Sequence, residues 1–222
     1  MSARVHLRPG NVQPVWMGHP WIYAQAIERV EGDPGPGDGV TVLDPRGNVL
    51  GRGYWSPGSA IPVRMLTRDA NVALDKRFLR DRIAEAAAWR REIAGLPNEN
   101  HTGYRLVHAD GDALSGLIVD VFGTSAVVQF GTIGMKRREA DILDAVMSVA
   151  RVERVYEVAS ERHQQHEGFT VTEGQVRGDA SDTLSFRENG VSFRVPAPGA
   201  EGGGQKTGYY FDQRENRARV AS

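Results

Sequence analysis

Two kinds of hydrophobic periodicity divide the chain. Over residues 4–67, short apolar runs recur at roughly ten-residue spacing between Gly/Pro-rich turn signals such as residues 33–39, a pattern that predicts a small β-barrel or sandwich. From Lys76 to Ala94 the apolar residues instead recur at helical spacing, with Asp75 in position to cap the helix. The period changes near residues 68–75, and we place a domain boundary there.

Beyond residue 95 strands and helices are mixed. The predicted elements are strands at 117–119, 126–130 and 154–158, extended segments at 169–172 and 175–176, and a helix at 136–150. Asn189-Gly190 stands between two alternating runs, at 184–187 and 191–195, and indicates a hairpin. Residues 196–204 have the composition of a linker, and a polar helix is predicted to begin near Asp212.

These patterns predict an α+β chain in three parts. They predict a β-barrel over residues 1–70, a mixed α/β central domain over residues 73–195, and a linker followed by a polar helix over residues 196–222.

Composition narrows the chemistry that the chain can carry. The 222 residues contain no Cys, which excludes disulfides, thiolate metal sites and Cys nucleophiles within them. The net charge of −1 gives no argument for nucleic-acid binding. Only three of the 27 basic residues are Lys, and Arg suits phosphates and base edges, although a GC-rich coding sequence produces the same bias. Residues 1–10 lack the apolar core of a signal peptide, and no stretch has the length of a membrane span.

Two polar clusters allow either a metal site or a simpler role. Asp110 and Asp112 place two carboxylates in a loop, but the remainder of a calcium loop is missing, so a turn or cap is favoured. His163 and His166 have the spacing of one helix face, but their surroundings are polar, so solvated side chains are favoured. A metal hydrolase built on these four residues is a remote alternative.

Aromatic residues form two further candidates. His19 and Trp21, with Arg52 and Tyr54, have the composition of a surface that stacks unpaired bases and contacts phosphate. The alternative is that Trp21 and Trp55 belong to the core or rim of the barrel. Near the end of the chain, the aromatic run 209–211 followed by polar residues fits a pocket wall. The alternative is a docking segment, and either role is expected to need a partner outside this chain.

The motifs, in order, resemble those of a known family. They are Gly18-His19-Pro20-Trp21, Arg52-Gly53-Tyr54, Val63-Arg64-Met65-Leu66, Arg105-Leu106, residues 110–120, Glu167-Gly168, Glu188-Asn189-Gly190-Val191 and residues 205–217. Together they are similar to the PUA-domain-containing, S-adenosylmethionine-dependent class I methyltransferases that form 5-methylcytosine in 23S ribosomal RNA, the large-subunit methyltransferase I family. One departure lies in residues 111–116, Gly-Asp-Ala-Leu-Ser-Gly, where the family usually has Ser-Asp-Gly-Leu-Pro-Gly. The segment 198–204 is also longer and richer in Gly than in the family.

The resemblance implies a PUA-like RNA-binding barrel, a central domain that positions RNA, and a segment at 205–219 on the cofactor side of a catalytic domain. The residues expected to bind RNA are His19, Trp21, Arg52 and Tyr54. The residues expected to line the S-adenosylmethionine site are Tyr210, Phe211, Asp212 and Gln213. In the family a Rossmann-like catalytic domain follows these motifs and supplies a Cys nucleophile.

We therefore expect a front portion truncated before the catalytic domain, with no catalytic or metal-binding residues and no tight cofactor binding of its own. The expected partner is ribosomal RNA in the cytoplasm, with no membrane, and a homodimer is left open. The alternative is a stand-alone PUA-type RNA-binding module without a catalytic role, whose tail docks to a separate protein.

Overall fold

The computed structural model describes residues 3–159, 165–171, 173–201 and 207–221. Its first part is a six-stranded sheet with the order β2-β6-β5-β4-β1-β3, in which β1 and β4 are parallel and the other neighbours are antiparallel. The elements are β1 (Ala3–Leu7), α1 (Gln13–Trp16), β2 (Trp21–Ile22), β3 (Ile27–Glu31), β4 (Gly39–Leu43), β5 (Val49–Trp55) and β6 (Val63–Thr67).

Chain connectivity forces this sheet to curl. The edge strands β2 and β3 are joined by residues 23–26 alone. A flat six-stranded sheet separates its edges by roughly 24 Å, whereas the five residue steps from Ile22 to Ile27 span at most about 18 Å. The concave side encloses a small core that includes Val5, Val40 and Val63. The predicted barrel is therefore found as a half-barrel, with β2 and β3 at its two edges and not paired to each other.

The second part is a five-stranded sheet covered by helices on one face. Its order is β11-β10-β9-β8-β7, and only β9 and β10 are parallel. The elements are α2 (Lys76–Glu92), β7 (Gly103–His108), β8 (Leu117–Phe122), β9 (Ser125–Phe130), α3 (Ile133–Lys136), α4 (Glu139–Ala150), β10 (Arg154–Glu157) and β11 (Gly174–Arg177). A parallel pair needs a crossover, and α3 and α4 provide it.

The first predicted helix is found, and the second is divided in two. The Asp75 carboxylate accepts the Phe78 N–H at 2.9 Å, which confirms the predicted cap of α2. The single helix predicted at 136–150 is instead two helices that break at Arg137 and Arg138. Thr132 caps the first of them, because its hydroxyl oxygen accepts the Met135 N–H.

A hairpin and the last described segment cover the other face of the five-stranded sheet. The hairpin strands are β12 (Thr183–Glu188) and β13 (Val191–Pro196). Both residues of its turn, Asn189 and Gly190, have positive φ, as the predicted Asn-Gly hairpin requires. Phe122 and Tyr156 of the sheet pack against Phe186 of the hairpin in a hydrophobic core on this face.

Two other predictions change. Residues 169–171 of the predicted extended segment are not in a strand, and Thr172 lies outside the described residues. Instead of one helix from Asp212, a 3-10 turn (Phe211–Gln213) precedes α5 (Arg214–Ala221). No helix in the described parts of the chain combines the length and the apolarity needed to cross a bilayer.

Candidate functional site

A cleft of about 530 Å³ lies between the half-barrel and the five-stranded sheet. Its walls come from both units and from the loop that joins β7 to β8. The lining residues are Trp21, Ser59, Ala60, Ile61, Arg64, Ala109, Asp110, Ser115, Gly116, Ile118, Gln129, Gly131, Thr132, His166 and Glu167. Since both units contribute, the shape of the cleft depends on how they are held together.

One rim of the cleft is aromatic. The Trp21 indole Nε1–H donates to Asp110 Oδ1 at 3.1 Å, which fixes the ring against the other unit. His19 and Tyr23 meet this ring edge-to-face, with centroids 5.6 Å and 6.4 Å from it. The rings of His19 and Tyr23 are exposed and Trp21 is half-buried. Trp21 therefore lines the cleft with two exposed rings packed against it, while Trp55 packs beside the half-barrel core.

A second contact between the units lies in the cleft lining. The buried carboxylate of Glu167 accepts a hydrogen bond from Arg64 Nη1 at 2.9 Å and another from the Ile133 N–H at 3.1 Å. Arg64 belongs to the half-barrel, and Ile133 begins α3. The pair therefore bridges the two units, as Trp21 and Asp110 do at the rim.

The loop between β7 and β8 uses both carboxylates of the Asp110-Gly111-Asp112 motif for protein contacts. Asp112 accepts two hydrogen bonds from Arg90, at 2.5 and 2.7 Å, and one from the His108 N–H at 2.6 Å. Asp110 holds Trp21, as described above. Of the favoured roles, a turn or a cap, the structure shows the turn, because the motif lies in a 3-10 turn over Ala109–Asp112.

The histidine pair gives no second argument for a metal. His166 is exposed and lines the cleft, and His163 lies outside the described residues. Within the described ranges, no three His, Asp or Glu side chains come together as metal ligands would.

Arg52 and Tyr54 lie away from the aromatic rim. Tyr54 is only 4% exposed, its hydroxyl donates to the Leu74 carbonyl at 3.1 Å, and the Arg138 guanidinium lies 3.7 Å from its ring centroid. Burial raises the pKa of Tyr54 to about 12. Arg52 Nη1 donates to the Val72 carbonyl at 2.7 Å. The structure therefore brings His19 and Trp21 together, whereas Arg52 and Tyr54 tie β5 to the segment that leads into α2.

The C-terminal segment docks onto the central sheet and hairpin of the same chain. The Thr207 hydroxyl donates to the buried Asp120 Oδ2 at 2.5 Å, and Arg214 donates to the Gly103 carbonyl at 2.8 Å. The Phe211 ring lies 5.0 Å from that of Phe122, centroid to centroid. The expectation that this segment needs a partner outside the chain is corrected here, because residues of the chain itself supply its docking surface.

A buried carboxylate anchors this segment. Glu188 is 1% exposed and accepts hydrogen bonds from Arg217 Nε and Nη2 at 2.7 and 2.9 Å and from the Tyr209 hydroxyl at 3.2 Å. Burial alone would raise the pKa of Glu188, but these donors and the nearby Arg214 hold it below its usual range. Burial, reinforced by the charge of Glu188, raises the pKa of Tyr209 to about 12.

The four residues expected to line a cofactor site, residues 210–213, differ in their exposure. Phe211 packs inward into the aromatic cluster, whereas Tyr210, Asp212 and Gln213 are exposed. A cleft of about 290 Å³ adjoins Phe211 and Asp212. Its wall also carries the guanidinium groups of Arg90, Arg105 and Arg214. Each of these guanidinium groups is paired with a carboxylate, Arg90 with Asp112, Arg105 with Asp120 and Arg214 with Glu188.

Comparison with known proteins identifies one domain directly. Residues 5–68 match the PUA-like domain family. Over 221 residues the chain is 36% identical to ribosomal RNA large subunit methyltransferase I of Pseudoalteromonas atlantica, covering 100% of this chain and 54% of that protein. It is 32% identical over 218 residues to the protein of the same name from Escherichia coli, covering 98% of this chain and 54% of that protein.

Solved structures share the fold at lower identity. A protein assigned as a SAM-dependent methyltransferase from Streptococcus mutans superposes with a TM-score of 0.78 at 18% identity, over 99% of this chain and 54% of that one. A second structure, of a protein assigned as a methyltransferase and complexed with SAH, gives a TM-score of 0.79 at 17% identity, over 99% of this chain and 53% of that one. The chain spans about half the length of the curated relatives that it matches. Residues 5–68 thus form a PUA-like domain, and the chain is homologous to about half the length of ribosomal RNA large subunit methyltransferase I proteins.

Proposed function

We propose that this chain is the RNA-binding portion of an S-adenosylmethionine-dependent methyltransferase of ribosomal RNA, acting in the cytoplasm. The observation that carries the proposal is Trp21 in the lining of the cleft between the PUA-like domain and the central sheet, with the exposed rings of His19 and Tyr23 packed against it. Aromatic faces beside a groove are how proteins hold unpaired bases. Homology to ribosomal RNA methyltransferases over nearly the whole chain supports RNA as the ligand.

We divide the chain as its sequence predicts, with residues 1–70 as the RNA-binding unit, 73–195 as the central domain and 196–222 as the linker and cofactor-side segment. In this proposal His19 and Trp21 contact RNA. Arg52 and Tyr54 act indirectly, because their contacts with residues 72–74 hold the PUA-like domain in place.

The finer assignment is formation of 5-methylcytosine in 23S ribosomal RNA by the whole protein. That reaction requires a thiolate that attacks C6 of the base and activates C5, and the 222 residues contain no Cys. We therefore propose that this chain binds RNA without methylating it. Tyr210, Asp212 and Gln213, which are exposed, would contribute one edge of a cofactor site, and Phe211 would support them from the core.

A stand-alone RNA-binding module is the second candidate. The docked segment favours it, since residues 207–217 complete the second face of the central sheet with contacts inside the chain. Calorimetric titration with S-adenosylmethionine bears on both candidates. We expect no tight binding to the 222-residue chain, and tight binding would overturn the proposal that its cofactor site is incomplete.

RNA binding is tested by fluorescence anisotropy with a fluorescein-labelled single-stranded RNA. We expect affinity to fall steeply with salt, because bound cations are released from the RNA. Trp21→Ala should weaken binding at least about fivefold, the loss of one stacked base. Trp89→Ala is the matched control, because Trp89 is 54% exposed on α2, outside the cleft. Absence of binding at low salt, or equal losses in the two variants, would overturn the proposal.

A further inference from the structure

We infer that the cleft between the PUA-like domain and the central sheet is a pocket for one unstacked nucleobase, and that it prefers bases carrying an exocyclic amino group over uracil. This inference rests on the proposed RNA binding and adds where a base sits and how it is read. With a volume of about 530 Å³ the cleft falls within the usual range of small-ligand sites.

The pocket has a fixed stacking wall. Trp21 lines the cleft, and its Nε1–H is already bound to Asp110, so the ring plane is set before a ligand arrives. A preorganised aromatic face costs less entropy to use than a mobile one. Ile118 and Gln129, which are paired across β8 and β9, contribute to the lining from the sheet.

One polar group in the same lining has no partner among the described residues. The Ser115 side chain is buried, with 3% of the residue exposed, and its Oγ has no hydrogen-bond partner among the described residues. A buried hydroxyl left unpaired destabilises the free protein, and a hydrogen bond from a ligand atom would offset that cost. Gln129 also lines the cleft. An amide and a hydroxyl offer both donors and acceptors to a base edge.

The charges of the lining decide which ligand it accepts. Asp110 and Glu167 bring two carboxylates to the cleft, and Arg64, which also lines it, is already paired with Glu167 at 2.9 Å. This balance disfavours a phosphate and favours ligand groups that donate hydrogen bonds. Cytosine, adenine and guanine carry an amino donor that uracil lacks, and this difference is the basis of the stated preference.

The test uses fluorescein-labelled uridine decamers with uridine, cytidine or an abasic residue at the centre, measured by anisotropy against the 222-residue chain. We expect the cytidine decamer to bind about two- to tenfold more tightly than all-uridine RNA, the worth of one hydrogen bond, and the abasic decamer to bind most weakly. Ser115→Ala and Gln129→Ala should reduce the preference for cytidine while retaining binding to the all-uridine decamer. Gln175→Ala, on the edge strand β11 and outside the cleft, is the control.

The outcomes separate this inference from the proposed function. If all decamers bind equally, or if the wild-type preference persists in both cleft variants, the base pocket is refuted while RNA binding stands. If no decamer binds at low salt, the proposed function fails and the inference fails with it. Loss of preference in the two cleft variants, with wild-type thermal stability and an unchanged control, supports the pocket.

Discussion

Replacing Arg217 by Ala is expected to destabilise the protein, because it leaves the buried carboxylate of Glu188 short of its main donor. Arg217 contributes the two shortest contacts to this carboxylate, at 2.7 and 2.9 Å. Removing one partner of a fully buried ion pair costs about 3–5 kcal/mol. Here the Arg217 side chain is 31% exposed, and Glu188 keeps Arg214 at 3.7 Å and the Tyr209 hydroxyl as partners. We therefore expect the free energy of unfolding to fall by about 2 kcal/mol, less than for a fully buried pair.

The measurement is urea unfolding followed by tryptophan fluorescence at pH 7 and at low pH. The pKa of Glu188 is lower in the folded protein than in the unfolded chain, where it is near 4.3 for Glu. The ionised carboxylate therefore adds to the free energy of unfolding above the unfolded-state pKa. This contribution is lost as the pH falls through the folded-state pKa. The difference between wild type and Arg217→Ala should therefore shrink below about pH 4.

Arg219→Ala is the matched control on the same helix. Arg219 forms an exposed i, i+4 contact with Glu215 at 3.9 Å, which is worth less than about 1 kcal/mol. Equal losses for the two variants, or a loss at position 217 that does not change with pH, would refute the claim that Glu188 anchors the segment electrostatically.

Two smaller perturbations test the other buried contacts. Tyr54→Phe should cost about 1 kcal/mol in urea unfolding, because it deletes the hydrogen bond to the Leu74 carbonyl and retains the ring, and no loss would show that this bond is not used in solution. Lys136→Met removes the donor that contacts the buried Glu157 at 2.7 and 2.8 Å. Burial already raises the pKa of Glu157, and without Lys136 this pKa should rise further. The variant then holds an unpaired buried carboxylate at pH 7 that is more readily protonated at pH 5. Its melting temperature should therefore fall further below wild type at pH 7 than at pH 5, and an equal difference at both pH values would contradict this.

Features encoded by a few neighbouring residues were predictable from the sequence. The Asn189-Gly190 turn requires positive φ at both residues, and the Asp75 cap requires only one carboxylate three residues before the Phe78 N–H. Arg52 and Tyr54 show the limit of such reasoning. Alternation along β5 places them on one face, but it does not say which face meets the segment before α2.

The docking of the C-terminal segment could not be predicted from local sequence patterns, because its contacts are with residues far away in the sequence. Thr207 contacts Asp120 and Arg214 contacts Gly103, over sequence separations of 87 and 111 residues. The aromatic run 209–211 indicated a pocket wall or a docking segment, but composition does not identify the surface on which such a segment docks. Asp120 was the sequence signal for such a contact, since a carboxylate inside the apolar run of β8 needs polar partners when it is buried.

The loop between β7 and β8 contains two locally unfavourable features. Where the family that the sequence resembles has Gly and Pro, this chain has Ala113 and Ser115. Ala113 has a φ of +54°, a left-handed conformation that costs a residue with a Cβ about 1–2 kcal/mol. Ser115 adds a buried hydroxyl without a partner among the described residues. Such costs concentrate at binding sites, where a ligand offsets them, and both residues lie in the loop that carries Asp110 and with it Trp21.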